Sequence, residues 1–197
     1  MPRLVTLSVK RHWLWVLGLL IFGTGCSTHS GPKEVQPTAQ PAFTRDVPGL
    51  TPLESRKDLE ALVDLPIGWK ADEIKQNARH VHQVWLSPSG NTAYGVIVMK
   101  LPWPVGPDLL LWSFLDRMKQ TEGQAQVLVK QKDDALPGYR LVLNGNHYCL
   151  RCTLIVHDWR AWAVYAGTVR SAPILQSELE LAEKARDDTV VGAEDRP

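Results

Sequence analysis

Two cysteines lie three residues apart in the second half of the chain, at Cys149 and Cys152. A C-x-x-C pair can act as a redox dithiol, supply half of a zinc site or form a structural disulfide. A redox pair normally opens a helix, whose N-terminus stabilises the thiolate. The residues from 146 to 156 instead alternate as in a β-strand, where positions three apart are ~10 Å apart, beyond the ~7 Å that a disulfide spans.

This spacing favours two free, largely buried thiols on opposite faces of one strand, with Cys152 on the apolar face. A disulfide in a bulged or turned segment is the first alternative, and redox or metal chemistry is the second. If the protein is exported, oxidised cysteines are favoured over reduced or zinc-bound ones.

The histidines offer a weak metal pattern. His80 and His82 are two residues apart and share a strand face, which His147 or His157 would have to approach to complete a site. No third ligand stands at a known spacing, so we interpret these histidines as solvated or capped side chains and predict neither a metal nor a cofactor. Zinc-protease, nucleophile-elbow, phosphate-loop and EF-hand motifs do not occur in the sequence.

Two tryptophans are candidates for a binding surface. Trp103 stands between Pro102 and Pro104 in a stiff loop, and Trp159 lies in a predicted turn. Because Trp is enriched at binding hot spots, the two side chains indicate a surface for a protein, a peptide or a glycan. The alternative is that Trp103 folds back as a lid on the core.

The N-terminus has the pattern of an export signal. Its first 25 residues carry three basic and no acidic residues, and Trp13 to Phe22 form an apolar stretch. This stretch is about half the ~20 residues that a membrane-spanning helix needs, as in a secretory signal peptide. Gly23-Thr24-Gly25-Cys26 then resembles the lipobox of bacterial lipoproteins, with Gly23 where that family usually has Leu. The resemblance implies cleavage after residue 25, lipid on Cys26 and a membrane anchor in the cell envelope; the alternative is an uncleaved signal anchor.

Composition divides the remaining chain. Five prolines punctuate residues 27–52 among Ser, Thr, Gln and Gly, so we predict a disordered tether over 26–52, a globular domain over 53–190 and a disordered tail over 191–197. The chain has a net charge of +1, and without the three basic residues of the leader it carries about −2. A weakly acidic protein has no electrostatic footprint for nucleic acid.

Within the domain, periodicity predicts a mixture of helices and strands. Thr51-Pro52-Leu53-Glu54 resembles a capping box and predicts a first helix reaching Val63. Two strands follow, then a helix from Pro107 to Gly123, four more strands with a hairpin turn at Asn144-Gly145, and a last helix over 173–187. This order predicts a single α+β domain, with a mostly antiparallel sheet of about six strands packed with about three helices.

Pro66, Gly68 and Trp69, together with this element order, are similar to the Mog1/PsbP-like α/β/α sandwich over residues 65–190. That resemblance implies a non-enzymatic binding or assembly accessory, and no site residue carries over from it. We therefore expect a membrane-anchored envelope lipoprotein acting as a non-catalytic binding or assembly module. The alternatives are an envelope enzyme whose site is assembled from distant residues, and a protein that uses Cys149 and Cys152 for redox or metal handling.

Overall fold

The computed structural model describes residues 49–133 and 136–192. Cys26, the predicted leader, most of the predicted tether and residues 193–197 lie outside this part. The helices are α1 (Pro107–Glu122) and α2 (Gln176–Asp188), and a 3-10 turn spans Lys57–Leu59. The strands are β1 (Glu54–Arg56), β2 (Ala61–Val63), β3 (Lys70–Ala71), β4 (Lys75–Gln76), β5 (His80–Leu86), β6 (Thr92–Lys100), β7 (Gln126–Asp133), β8 (Gly138–Asn144), β9 (Tyr148–His157), β10 (Arg160–Val169) and β11 (Val190–Val191).

Eight of these strands form the main sheet, in the order β3-β5-β6-β10-β9-β8-β7, with β4 also paired to β5. A second sheet has the order β1-β2-β11. Every pairing within the described residues is antiparallel. Short turns join β5 to β6, β8 to β9 and β9 to β10, which favours antiparallel pairing of those neighbours. The mostly antiparallel α+β class predicted from the sequence is confirmed.

The two helices lie on opposite faces of the main sheet. Helix α1 buries Leu111, Phe114 and Met118 against one face, and α2 packs Ala182 and Ala185 against the other. The small sheet lies on the same face as α2, since its buried residues belong to the same cluster. The result is a layered α/β/α arrangement with a separate hydrophobic core on each side of the sheet.

Strand β6 is covered on both faces, and both of its faces are apolar. Ile97 belongs to the core beneath α1 and Val96 to the core beneath α2. The strand pairs with β5 on one side and β10 on the other, so it lies in the interior of the sheet.

The first predicted helix is wrong. Residues 54–63 form β1, the 3-10 turn and β2, and Glu60 ends the turn in a left-handed conformation with φ 51°. Thr51 caps no helix: its N–H donates to the carbonyl of Leu65, and its hydroxyl accepts the N–H of Leu65. Ala61 and Val63 are buried at a spacing of two, which is the period of a strand. The capping pattern at residues 51–54 favoured a helix over this short strand period.

The predicted counts also need correction. Within residues 49–133 and 136–192 there are two α-helices rather than about three, and the main sheet has eight strands rather than about six. The extra strands β3 and β4 have two residues each, too few for a periodicity to register. At the C-terminal end, Val191, assigned above to the tail, pairs with Ala61 in the small sheet.

Candidate functional site

Several connections of the main sheet meet at one of its ends. The N–H of Leu101, at the end of β6, donates to the carbonyl of Trp159 in the β9–β10 turn, 2.7 Å away. Val156 donates in the same way to Pro137, before β8, at 3.0 Å. These backbone bonds hold the loop after β6, the β9–β10 turn and the β7–β8 turn side by side.

The loop after β6 is anchored at two points and exposed between them. Leu101 and Val105 are buried in the core beneath α1, while Trp103 between them keeps 43% of its surface exposed. Pro102 and Pro104 restrict the backbone on either side of the tryptophan. The loop therefore presents Trp103 at a defined position, partly packed and partly open to solvent.

The β9–β10 turn presents a second tryptophan. Asp158 has a left-handed backbone with φ 51°, which suits Asp in a tight turn, and the next residue, Trp159, is 55% exposed. His157 Nδ1 and Asp158 Oδ2 lie 3.2 Å apart on the exposed side of this turn. Because the Trp159 carbonyl accepts from Leu101, the turn is fixed against the loop that carries Trp103.

Helix α1 adds a third tryptophan that the sequence reasoning did not single out. The Tyr139 hydroxyl donates to the Asp108 carboxylate, which places the first turn of α1 at this same end of the sheet. Leu109 and Trp112 lie opposite the buried stripe of the helix, and Trp112 is 67% exposed. With 3.6 residues per turn, Trp112 lies on the helix face opposite Leu111 and Phe114, so the sequence alone could have predicted that its side chain is exposed.

We call these side chains the tryptophan surface: Trp103, Leu109, Trp112, Leu136 and Trp159. Leu136, in the β7–β8 turn, is exposed. The three indoles together expose on the order of 400 Å², given the 150–250 Å² that an aromatic side chain offers. Exposed aromatic and aliphatic side chains at one end of a fold are candidates for an interaction site.

The two cysteines of the C-x-x-C sequence do not meet. Cys149 and Cys152 are both free thiols on β9. Cys152 lies in the core beneath α1, whereas Cys149 is half-buried, and residues three apart on a strand point to opposite faces. Burial raises the pKa of the Cys152 thiol to about 12, so at neutral pH this sulfur is protonated and a poor nucleophile.

The histidines are likewise dispersed. His82 is buried and shares a 2.7 Å hydrogen bond between its Nε2 and the Tyr165 hydroxyl. His147 lies in the β8–β9 turn beside Glu122, and His157 follows at the other end of β9, ten residues on. Among the described residues, no group of three His, Cys, Asp or Glu side chains is placed to hold a metal ion.

Cys26, the predicted lipidation site, lies outside the described residues. Within the part of the chain that the structure covers, neither α-helix is long and apolar enough to cross a bilayer.

Comparison with known proteins supports the fold. No protein-family model matches the sequence, and no curated protein matches it. Among solved structures, the chain is similar to the solution structure of cyanobacterial PsbP (CyanoP) from Synechocystis sp. PCC 6803. The likeness has a TM-score of 0.54 at 12% identity and covers 77% of this chain and 98% of the other. At this identity it bears out the PsbP-like fold, and the fold alone.

Proposed function

We propose that this protein is a lipid-anchored module of the bacterial cell envelope that binds a protein partner through the tryptophan surface. The observation that carries the proposal is the convergence of Trp103, Trp112 and Trp159, from three separate segments, at one end of the sheet. Folding against solvent alone does not favour leaving three indoles exposed in one region, whereas a partner's surface would bury them.

A protein is a better occupant than a glycan. Leu109 and Leu136 extend the exposed area with aliphatic carbon, which another protein's apolar side chains can bury, whereas sugar hydroxyls require hydrogen-bonding partners. Aromatic anchors at the centre of a polar rim are typical of protein interfaces. The lipid anchor on Cys26 and the envelope location rest on the leader sequence, and the PsbP-like fold favours an accessory role.

The decisive experiment compares two triple variants of the full chain. W103A/W112A/W159A removes the three indoles, and I67A/I174A/L175A removes three exposed apolar side chains from other parts of the molecule. Each chain is cross-linked in solubilised envelope, the captured protein is identified and purified, and its affinity for each chain is measured by calorimetry. We expect the control to bind like wild type and the tryptophan variant to bind about a hundredfold more weakly, as loss of hot-spot residues does.

Thermal melting of the single variant W103A separates contact from packing. Truncating a contact residue changes the free energy of unfolding little, while truncating a tryptophan that acts as a lid on the core lowers it by about 3–5 kcal/mol.

Equal affinity of wild type and W103A/W112A/W159A for every captured protein would contradict the proposal. The absence of any protein that is captured by wild type and lost by that variant would contradict it as well.

A further inference from the structure

Strand β7 is the long free edge of the main sheet. It spans eight residues, Gln126–Asp133, and every residue from Gln126 to Lys132 is exposed. Within the described residues it pairs with β8 alone. At the opposite edge, by contrast, β3 and β4 cover β5 in pieces of two residues. Of the two edges that the main sheet has within the described residues, the β7 edge therefore offers the long continuous strand.

The backbone of this edge is regular enough to pair again. The ladder with β8 is interrupted once, between Val127 and Val129, and then runs without a break from Val129 to Asp133. In an antiparallel pair, every second residue turns its N–H and C=O away from the partner strand. Such a row of outward groups is a template for another extended chain.

The side chains of β7 specify what that chain should carry. Val127, Leu128 and Val129 are exposed, so the first half of the strand offers apolar contacts. Lys130 and Lys132 follow on one face, opposite Leu141 and Tyr139 of β8, and the Lys130 ammonium lies 5.1 Å from the centre of the Tyr139 ring.

These lysines are not neutralised by neighbours in the described residues. None of the salt bridges formed there includes Lys130 or Lys132. The acidic residue of the strand, Asp133, already pairs with Arg140 at 3.0 Å. The strand thus presents two positive charges beside an open backbone edge.

We infer that β7 accepts an extended acidic segment of another protein as a ninth strand of the main sheet. Backbone hydrogen bonds supply the affinity of such strand addition, and alternate side chains supply its specificity. A second copy of this chain is a poorer occupant, because it would bring its own Lys130 and Lys132 to an edge that is already positive. The inference goes beyond the proposed function and uses none of the tryptophan surface.

The test uses the full chain in detergent and a fluorescent peptide of alternating valine and glutamate. A peptide of alternating valine and lysine is the matched probe. Two charge reversals are compared: K130E/K132E on β7, and K57E/K70E at exposed lysines outside it. We expect the Val-Glu peptide to bind wild type and K57E/K70E alike, and K130E/K132E about tenfold more weakly, the combined effect of two surface ion pairs. Of the three proteins, K130E/K132E alone should bind the Val-Lys peptide more tightly than the Val-Glu peptide.

Hydrogen exchange locates the bound peptide. The outward amides of Gln126–Asp133 should gain protection on peptide binding, while those of β3 and β4 should not. Failure of the Val-Glu peptide to bind at millimolar concentration would overturn the inference, as would binding that K130E/K132E leaves unchanged or protection that omits β7. W103A/W112A/W159A should retain peptide binding, so the edge and the tryptophan surface are tested separately.

Discussion

His82 brings an ionisable ring into the core on the α1 side of the sheet. Its side chain is buried, and the Tyr165 hydroxyl is its hydrogen-bond partner at 2.7 Å. Burial lowers the pKa of the imidazole from 6.5 to about 4, with smaller contributions from Lys75 and His80. The ring is therefore neutral in the folded protein throughout the physiological pH range.

This burial predicts a loss of stability in mild acid. Above pH 6.5 the ring is neutral in both the folded and the unfolded state. Below pH 6.5 the ring is protonated in the unfolded chain, whereas in the folded chain it stays neutral down to about pH 4. The free energy of unfolding should fall across this window by up to about 3 kcal/mol, and by about 2 kcal/mol at pH 5. Urea unfolding of wild type and H82Q between pH 7 and pH 4 measures the difference.

The H82Q variant keeps a polar partner for Tyr165 and removes the titration. Its stability should depend on pH less steeply than that of wild type over the same interval. Identical slopes for the two proteins would show that His82 does not titrate differently on unfolding. Burial also lowers the pKa of His80. Because His80 is present in both wild type and H82Q, its titration contributes to both pH profiles and cancels in their difference.

At the scale of elements, the register between β6 and β10 requires a glycine. Gly95 pairs with Tyr165, and a Cβ on Gly95 would come within 2.3 Å of the Tyr165 ring. The tyrosine ring occupies the space that a side chain on β6 would need. Its hydroxyl then reaches His82 on the next strand, so the glycine makes room for the buried hydrogen bond.

Filling that space should destabilise the sheet. We expect G95A to lower the free energy of unfolding by about 2 kcal/mol through overpacking, measured by urea unfolding. In a Tyr165→Val background, where the clashing ring is gone, the same substitution should cost almost nothing. G106A is the matched control, since no atom lies within 4 Å of a Cβ at Gly106. An equal cost of G95A in both backgrounds would refute this account of the register.

The longer elements were predictable because their periods repeat. The α1 stripe, the two-faced β6 and the hairpin at Asn144-Gly145 all follow from residues close in sequence. The small sheet could not be predicted in this way, because its contacts join distant residues. The Leu59 carbonyl, next to β2, accepts the Trp162 indole N–H, and β2 pairs with β11, more than a hundred residues away. Pairings at that separation leave no local pattern, and the Thr51-Pro52-Leu53-Glu54 sequence pointed to a helix instead.

For the molecule as a whole, the anchor is the first property to test. Wild type should incorporate a fatty-acid label and sediment with membranes, because several lipid chains on one residue hold a protein stably. C26A should lose the label and remain in the soluble fraction. C149A, which alters a different cysteine, should behave like wild type. Equal labelling of C26A and wild type would remove the lipid anchor from the proposed function.

By itself, the sequence determined the class of the fold and the opposite facing of Cys149 and Cys152 on β9, and it predicts an export leader and a lipidation pattern at Cys26. Their physical basis is local, in charge order, turn chemistry and side-chain period. The tertiary structure alone decided that Trp103, Trp112 and Trp159 share one end, that His82 is buried against Tyr165, and that β7 is the open edge. Each of these depends on the order in which distant strands pair, and strand order is set by packing across the whole sheet.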